Sequence, residues 1–178
     1  MRIFFLSALV IFFSFTGAGA VFAQEANTGF LAAPAQRGDF WVCPGAETAF
    51  YSSSGVSVGG SLAAAYGSRA SIGFKAAWFF DMNNELDALE INFLLRYYFM
   101  NSAEGAPCAG PWIQLTGGPA MFFGREDKNS VPARYGRISA GLTFGWRFLF
   151  GNLFFAEPYI RAGYPYIAGA GVSAGVHF

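Results

Sequence analysis

Charge is scarce in this chain. Lys, Arg, Asp and Glu together make up 12% of it, where about a quarter is usual for a soluble domain, so an ordinary water-facing surface is short of the groups needed to cover it. The 11 basic and 11 acidic residues cancel, which argues against nucleic acid as a partner. One histidine, His177, and two cysteines, Cys43 and Cys108, are too few for a metal centre at ligand spacing, and no metal or cofactor is expected. No glycine-rich phosphate loop stands between a strand and a helix pattern. Long apolar runs are missing too: beyond Ala23 no stretch of about 18 residues is continuously apolar, the charge-free stretches 48–68 and 105–124 being broken by Ser, Gly, Thr and Pro, which excludes membrane-spanning helices. What the chain has in quantity is aromatic or small, with 22 Phe and 23 Gly.

The first residues are a case apart. Met1 and Arg2 are followed by a nearly unbroken apolar run from Ile3 to Phe15. Small residues then lead to Val21 and Ala23, the positions a signal peptidase reads. Residues 1–23 therefore predict a cleaved secretory signal peptide, with a cut after Ala20 as the alternative. About 13 apolar residues fall short of the roughly 20 that a retained spanning helix needs. Residues 24–38 follow as a periplasmic N-terminal segment, and 39–178 form one domain by size.

The stretch "GRISAGLTFGWRFLF", Gly136 to Phe150, shows how that domain is built. Alternate residues Ile138, Ala140, Leu142, Phe144, Trp146 and Phe148 are apolar, whereas Arg137, Ser139, Gly141, Thr143, Gly145 and Arg147 are small, polar or cationic. That is a strand with two unlike faces. Segments of the same kind run at Phe40 to Tyr51, Val56 to Tyr66, Ala70 to Phe80, Glu85 to Phe99, Trp112 to Phe123, Arg134 to Phe150, Leu153 to Gly163 and Ala168 to Phe178. Eight strands are the smallest number usual for an outer-membrane barrel, and roughly 9 to 11 residues suffice to cross. In lipid every backbone N–H and C=O must pair internally, and only a closed sheet removes its edges. The fold class expected is all-β, an eight-stranded antiparallel up-and-down transmembrane barrel. A soluble sandwich or lipocalin-like barrel would reverse the pattern, with apolar residues inside.

With the apolar set outward, the lumen is expected to be polar. Glu47, Glu90 and Glu157 would face Arg69, Lys75, Arg96, Arg137, Arg147 and Arg161, with His177 beside Glu157. Three residues from Gly151 to Leu153 make the odd loop that sets Arg147 opposite Glu157, Gly145 opposite Tyr159 and Thr143 opposite Arg161. Tyr66, Tyr97, Phe99 and Trp146 fall at one rim and Phe50, Trp78, Phe80 and Phe123 at the other, as interface girdles would. "YPYIAGA" and "GREDKNSVPA" are expected as outer loops, the short turns and both chain ends facing the periplasm. Pro119 and Pro158, outward and unable to donate to a ladder, mark either a gap in the wall or a local bulge. Cys43 and Cys108 lie on one side of the membrane in an oxidising compartment, so disulfide and thiols are both open.

The signal peptide, the eight alternating strands and the ending "AGAGVSAGVHF" resemble the small outer-membrane barrels of diderm bacteria, the group of OmpX, the OmpA membrane domain and OmpW. The resemblance covers Asp39 to Phe178. It implies an outer-membrane location, lipid and the outer-membrane insertion machinery as partners, a monomeric barrel, and Ala174, Val176 and Phe178 as the C-terminal assembly signal. One eight-stranded family of this kind transfers acyl chains with a His and a Ser near the outer mouth, but His177 stands at the other end, and no enzyme is expected. Two functions remain from the residues: a closed barrel displaying loops for envelope integrity or adhesion, or a narrow passive channel for small solutes, which in an OmpW-like variant would release small apolar molecules sideways. An interior just wide enough for side chains to fill favours closure.

Overall fold

The computed structural model describes residues 39–51, 55–82, 86–100, 108–124, 134–151 and 153–178. The expected signal peptide, the segment to residue 38 and the expected outer loop at 125–133 lie outside them. Strands β1 (Asp39–Tyr51), β2 (Val56–Gly67), β3 (Ala70–Asp81), β4 (Leu86–Tyr98), β5 (Gly110–Gly124), β6 (Arg134–Phe150), β7 (Phe154–Tyr164) and β8 (Tyr166–His177) follow one another. Each pairs antiparallel with the next, and β8 returns to β1, so the sheet is closed. The barrel belongs to the compact unit Ala35–Phe178. Phe40 and Phe178 exchange backbone hydrogen bonds of 2.8 and 3.3 Å at the end we call the terminus end; the opposite end is the loop end.

Alternation decides which side chains go where. From Ser71 to Phe80 in β3, Ser71, Lys75, Ala77 and Phe79 are buried while Ile72, Phe74, Trp78 and Phe80 are exposed. The outer face is an apolar belt: Leu62, Phe74, Phe93, Leu142, Ile160 and Val172 are each more than 40% exposed. Aromatic pairs ring both ends. Trp78 stacks on Phe123 at 5.5 Å near the loop end, and Tyr97 meets Phe99 edge-on at 5.7 Å near the terminus end. Directly opposite rings on neighbouring strands, such as Phe74 and Phe93 at 5.8 Å, contribute about 0.2–1 kcal/mol. Two of the terminus-end connections are short, β2 to β3 and β6 to β7, whereas β4 and β5 are joined by residues 99–109; in the β6–β7 turn Gly151 takes φ +69°, a left-handed conformation that a side chain would strain.

The hairpin register expected from sequence is present, with Gly145 opposite Tyr159 and Thr143 opposite Arg161. The last hairpin differs. "YPYIAGA" is not a long loop: β7 runs to Tyr164, β8 starts at Tyr166, and Pro165 alone joins them. Tyr and Ile favour extended backbone, so both strands continue into the turn. Consequently Glu157 lies opposite Ser173 and not beside His177, which pairs with Trp41 across the closing seam.

Pro119 and Pro158 do not interrupt their strands. Five of the seams have unbroken register, and three skip two residue pairs: Cys43 and Pro44 against Ala174 and Gly175, Ile91 and Asn92 against Gly118 and Pro119, and Trp146 and Arg147 against Glu157 and Pro158. Each skip contains one outward proline. The register on either side of each skip is the same, so neither a bulge nor a parted wall results; each proline costs pairing on one side and stays paired on the other, Pro44 with Leu62, Pro119 with Ile138 and Pro158 with Val172.

Candidate functional site

The site is the lumen, and glycines make the room for it. Four inward glycines each lie directly opposite a large ring on the neighbouring strand: Gly59 by Phe79, Gly145 by Trp112, Gly171 by Tyr159 and Gly175 by Phe155. A Cβ at Gly171 would come within 2.6 Å of the Tyr159 ring, and one at Gly175 within 2.5 Å of Phe155. The rings therefore lie flat against bare backbone and reach across the barrel.

They stack the lumen in layers. At the loop end Phe79, Phe122 and Tyr166 pack with Ala49, Ala77, Ala88 and Ala120, Phe79 and Tyr166 having ring centroids 4.8 Å apart, and Tyr135 stacks on Phe122 at 5.0 Å. At the terminus end Trp41, Leu94 and Phe155 form a second apolar cluster, with Tyr98, Trp112 and Tyr159 in a third. The sequence reading of a polar lumen is thus corrected. Trp41, Phe79, Phe122 and Phe155 share strand parity with Glu47, Lys75, Gln114 and Glu157; the signal was the alternation itself, and the sequence reading counted only the polar residues of the inward set.

Between these layers lie two groups of buried charge. Nearer the loop end, Glu47 meets Lys75 at 2.5 Å and Arg161 at 3.3 Å, and Arg161 also reaches Glu90 at 3.0 Å. Asn92 donates to Glu90 at 3.4 Å and accepts from Ser139. Nearer the terminus end, Arg96 donates to both oxygens of Glu157, at 2.7 and 2.9 Å. Arg147 Nε donates to the same carboxylate at 2.6 Å. Arg96 also donates to Gln114 at 2.9 Å and to the Tyr98 hydroxyl at 3.1 Å. Its guanidinium lies between two indoles, 3.9 Å from the Trp112 ring centre and 4.3 Å from that of Trp41, and Arg147 lies 3.8 Å from Phe155. Planar cations on aromatic faces fill a narrow bore without leaving their charge unsolvated.

Not every predicted lumen residue joins. Arg137 shares the parity, but β6 rises past its neighbour β7 there, and Arg137 is exposed, donating to the Tyr164 hydroxyl at 2.6 Å. Arg69 lies in the β2–β3 turn, against the Tyr97 ring and the Tyr98 carbonyl. His177 is buried at the terminus end against Phe155, with Nε2 lacking a partner. The Nε1 atoms of Trp41 and Trp112 and Nη2 of Arg147 are buried and likewise without a hydrogen-bond acceptor. Cys43 and Cys108 are buried thiols in separate clusters and not a disulfide. At the assembly-signal positions, Ala174 is exposed, Val176 half-buried and Phe178 73% exposed, its ring stacked on Phe40 at 6.2 Å. Between the two charge groups a cavity of about 10 Å³ remains, room for about one water. Among the described residues no three of His, Cys, Asp and Glu come together as metal ligands would.

No protein-family model matches the chain, and no curated protein matches it by sequence. Solved structures do. The N-terminal β-barrel domain of Pseudomonas aeruginosa OprF superposes with a TM-score of 0.57 at 16% identity, covering 82% of this chain and all of that one. Neisserial surface protein A, NspA, superposes with a TM-score of 0.60 at 13% identity, covering 82% of this chain and 98% of that one. At such identities the likeness is one of fold, and the fold expected from the sequence, the closed eight-stranded antiparallel barrel of this small class, is the one observed.

Proposed function

We propose that the chain is an integral outer-membrane barrel without catalytic activity, monomeric and occluded, that holds loops at the cell surface for envelope integrity or adhesion. The apolar belt between two aromatic rims suits a bilayer, and the neighbours in fold are a β-barrel domain and a protein named for the surface. The observation that carries the closed reading is the lumen's cross-section. Aromatic layers and two ion-paired groups fill it, and the cavity left between those groups, about 10 Å³, has room for one water and no continuous file. The terminus end, with both ends of the barrel's chain, would face the periplasm.

Reconstitution in planar bilayers tests this directly. The purified barrel gives no stable single-channel current; reproducible steps would overturn closure and favour the channel reading, whose buried cations would make it anion-preferring. A neutral Gly/Ser graft over Arg125 to Pro132 removes surface binding and leaves the barrel folded. Unchanged binding with the graft in place would count against loop display.

A further inference from the structure

We propose that the lumen binds a halide-sized anion, chloride under cellular conditions, in the cavity between its two charge groups. The proposal goes beyond the surface role and is independent of what the loops bind.

Charge is the first argument. In the loop-end group two cations, Lys75 and Arg161, face two carboxylates, Glu47 and Glu90. In the terminus-end group Arg96 and Arg147 share the single carboxylate of Glu157. All of these side chains are buried, so among the described residues one positive charge at the terminus end is without a buried counter-charge. Asp39, the carboxylate at the adjoining rim, is only half-buried. A water satisfies a hydrogen bond but not an excess charge, and an uncompensated buried charge is costly.

Hydrogen bonding is the second, independent argument. The buried polar groups without partners in this same cluster include Trp41 Nε1, Trp112 Nε1 and Arg147 Nη2. Indole and guanidinium nitrogens only donate, so each of these needs an acceptor, as an anion is. They belong to one neighbourhood, since Arg96 touches both indoles and Arg147 lies 5.1 Å from the Trp41 ring. Of these three residues Trp112 lines the cavity itself, together with Arg96, Lys75, Gln114, Thr143 and Ser173, while Trp41 and Arg147 lie outside its lining, against Arg96 and Glu157. Its size excludes sulfate, phosphate and organic anions but admits one small sphere.

The test uses the folded barrel in detergent and in lipid vesicles. Crystals grown in bromide show an anomalous peak inside the cavity. The unfolding temperature, read by heat-modified gel mobility, rises with the logarithm of chloride or bromide concentration and not with gluconate at equal ionic strength. Arg147→Met removes the surplus charge while leaving Glu157 paired with Arg96, and abolishes the halide dependence; Trp112→Phe removes one donor and weakens it. A water alone in the cavity, bromide only at adventitious surface positions, an equal response to gluconate, or a full response in Arg147→Met would each overturn the proposal. Should either variant fail to fold, the wild-type comparison of halide with gluconate decides by itself.

Discussion

Glu157 is the acid on which the terminus-end half of the lumen depends. It accepts from Arg96 and Arg147 at 2.6 to 2.9 Å, and neither guanidinium has another carboxylate within the ion pairs described. Glu157→Gln keeps the shape and removes the charge, leaving two cations facing each other away from water. Stability should fall by about 3–5 kcal/mol, read from urea unfolding midpoints in vesicles, whereas Arg137→Ala, on an exposed side chain, should stay within about 0.5 kcal/mol. Equal losses in the two variants would contradict the placement of these residues. At this scale much was legible in the sequence, because charges two, four or six positions apart along a strand must share its face, as Glu157 and Arg161 do, and the odd loop at Gly151 carries that face across to Arg147. The rings beside them were not legible. Phe155 sits two residues from Glu157 on the same face, but a bulky apolar side chain suits lipid and a packed lumen equally, and only the cross-strand glycine distinguishes them.

Strands are bounded here by the chemistry of their turns, and alternation placed nearly all of them correctly. The exception, Tyr164 to Tyr166, has no polar or glycine-rich spacer where a loop was expected; Pro165 alone carries the reversal. Between strands the organising unit is the glycine opposite a ring. Gly171→Ala puts a methyl 2.6 Å from Tyr159 and 2.8 Å from the Ala46 carbonyl oxygen, and because one of these is backbone no rotamer change relieves it. Overpacking of this kind costs about 1–3 kcal/mol, and refolding yield into vesicles should drop accordingly. Gly136→Ala, at an exposed site with nothing within 4 Å of the added carbon, should refold like the parent chain.

For the molecule as a whole, closure of the sheet followed from charge scarcity and backbone pairing, and both could be read from sequence. What the loops bind could not, since alternation carries information only where a side chain must choose between two environments. The three proline skips were half-visible: Pro119 and Pro158 stood out, but Pro44 drew no notice, and whether a proline breaks a wall depends on the strands either side of it. Pro44 lies on the seam that joins the first strand to the last. Because both of its ends emerge on one side, a barrel held by Asp39 and Phe178 and drawn apart with optical tweezers parts along that seam by peeling. The load first meets the Phe40–Phe178 bonds and the pairs Trp41–His177 and Val42–Val176, then two missing rungs, and next Gly45–Ser173. Rupture should therefore start with a short low-force step that halts before the main event, and Pro44→Ala, which restores an amide hydrogen, should merge the two; the barrel is built with a tear strip where it closes.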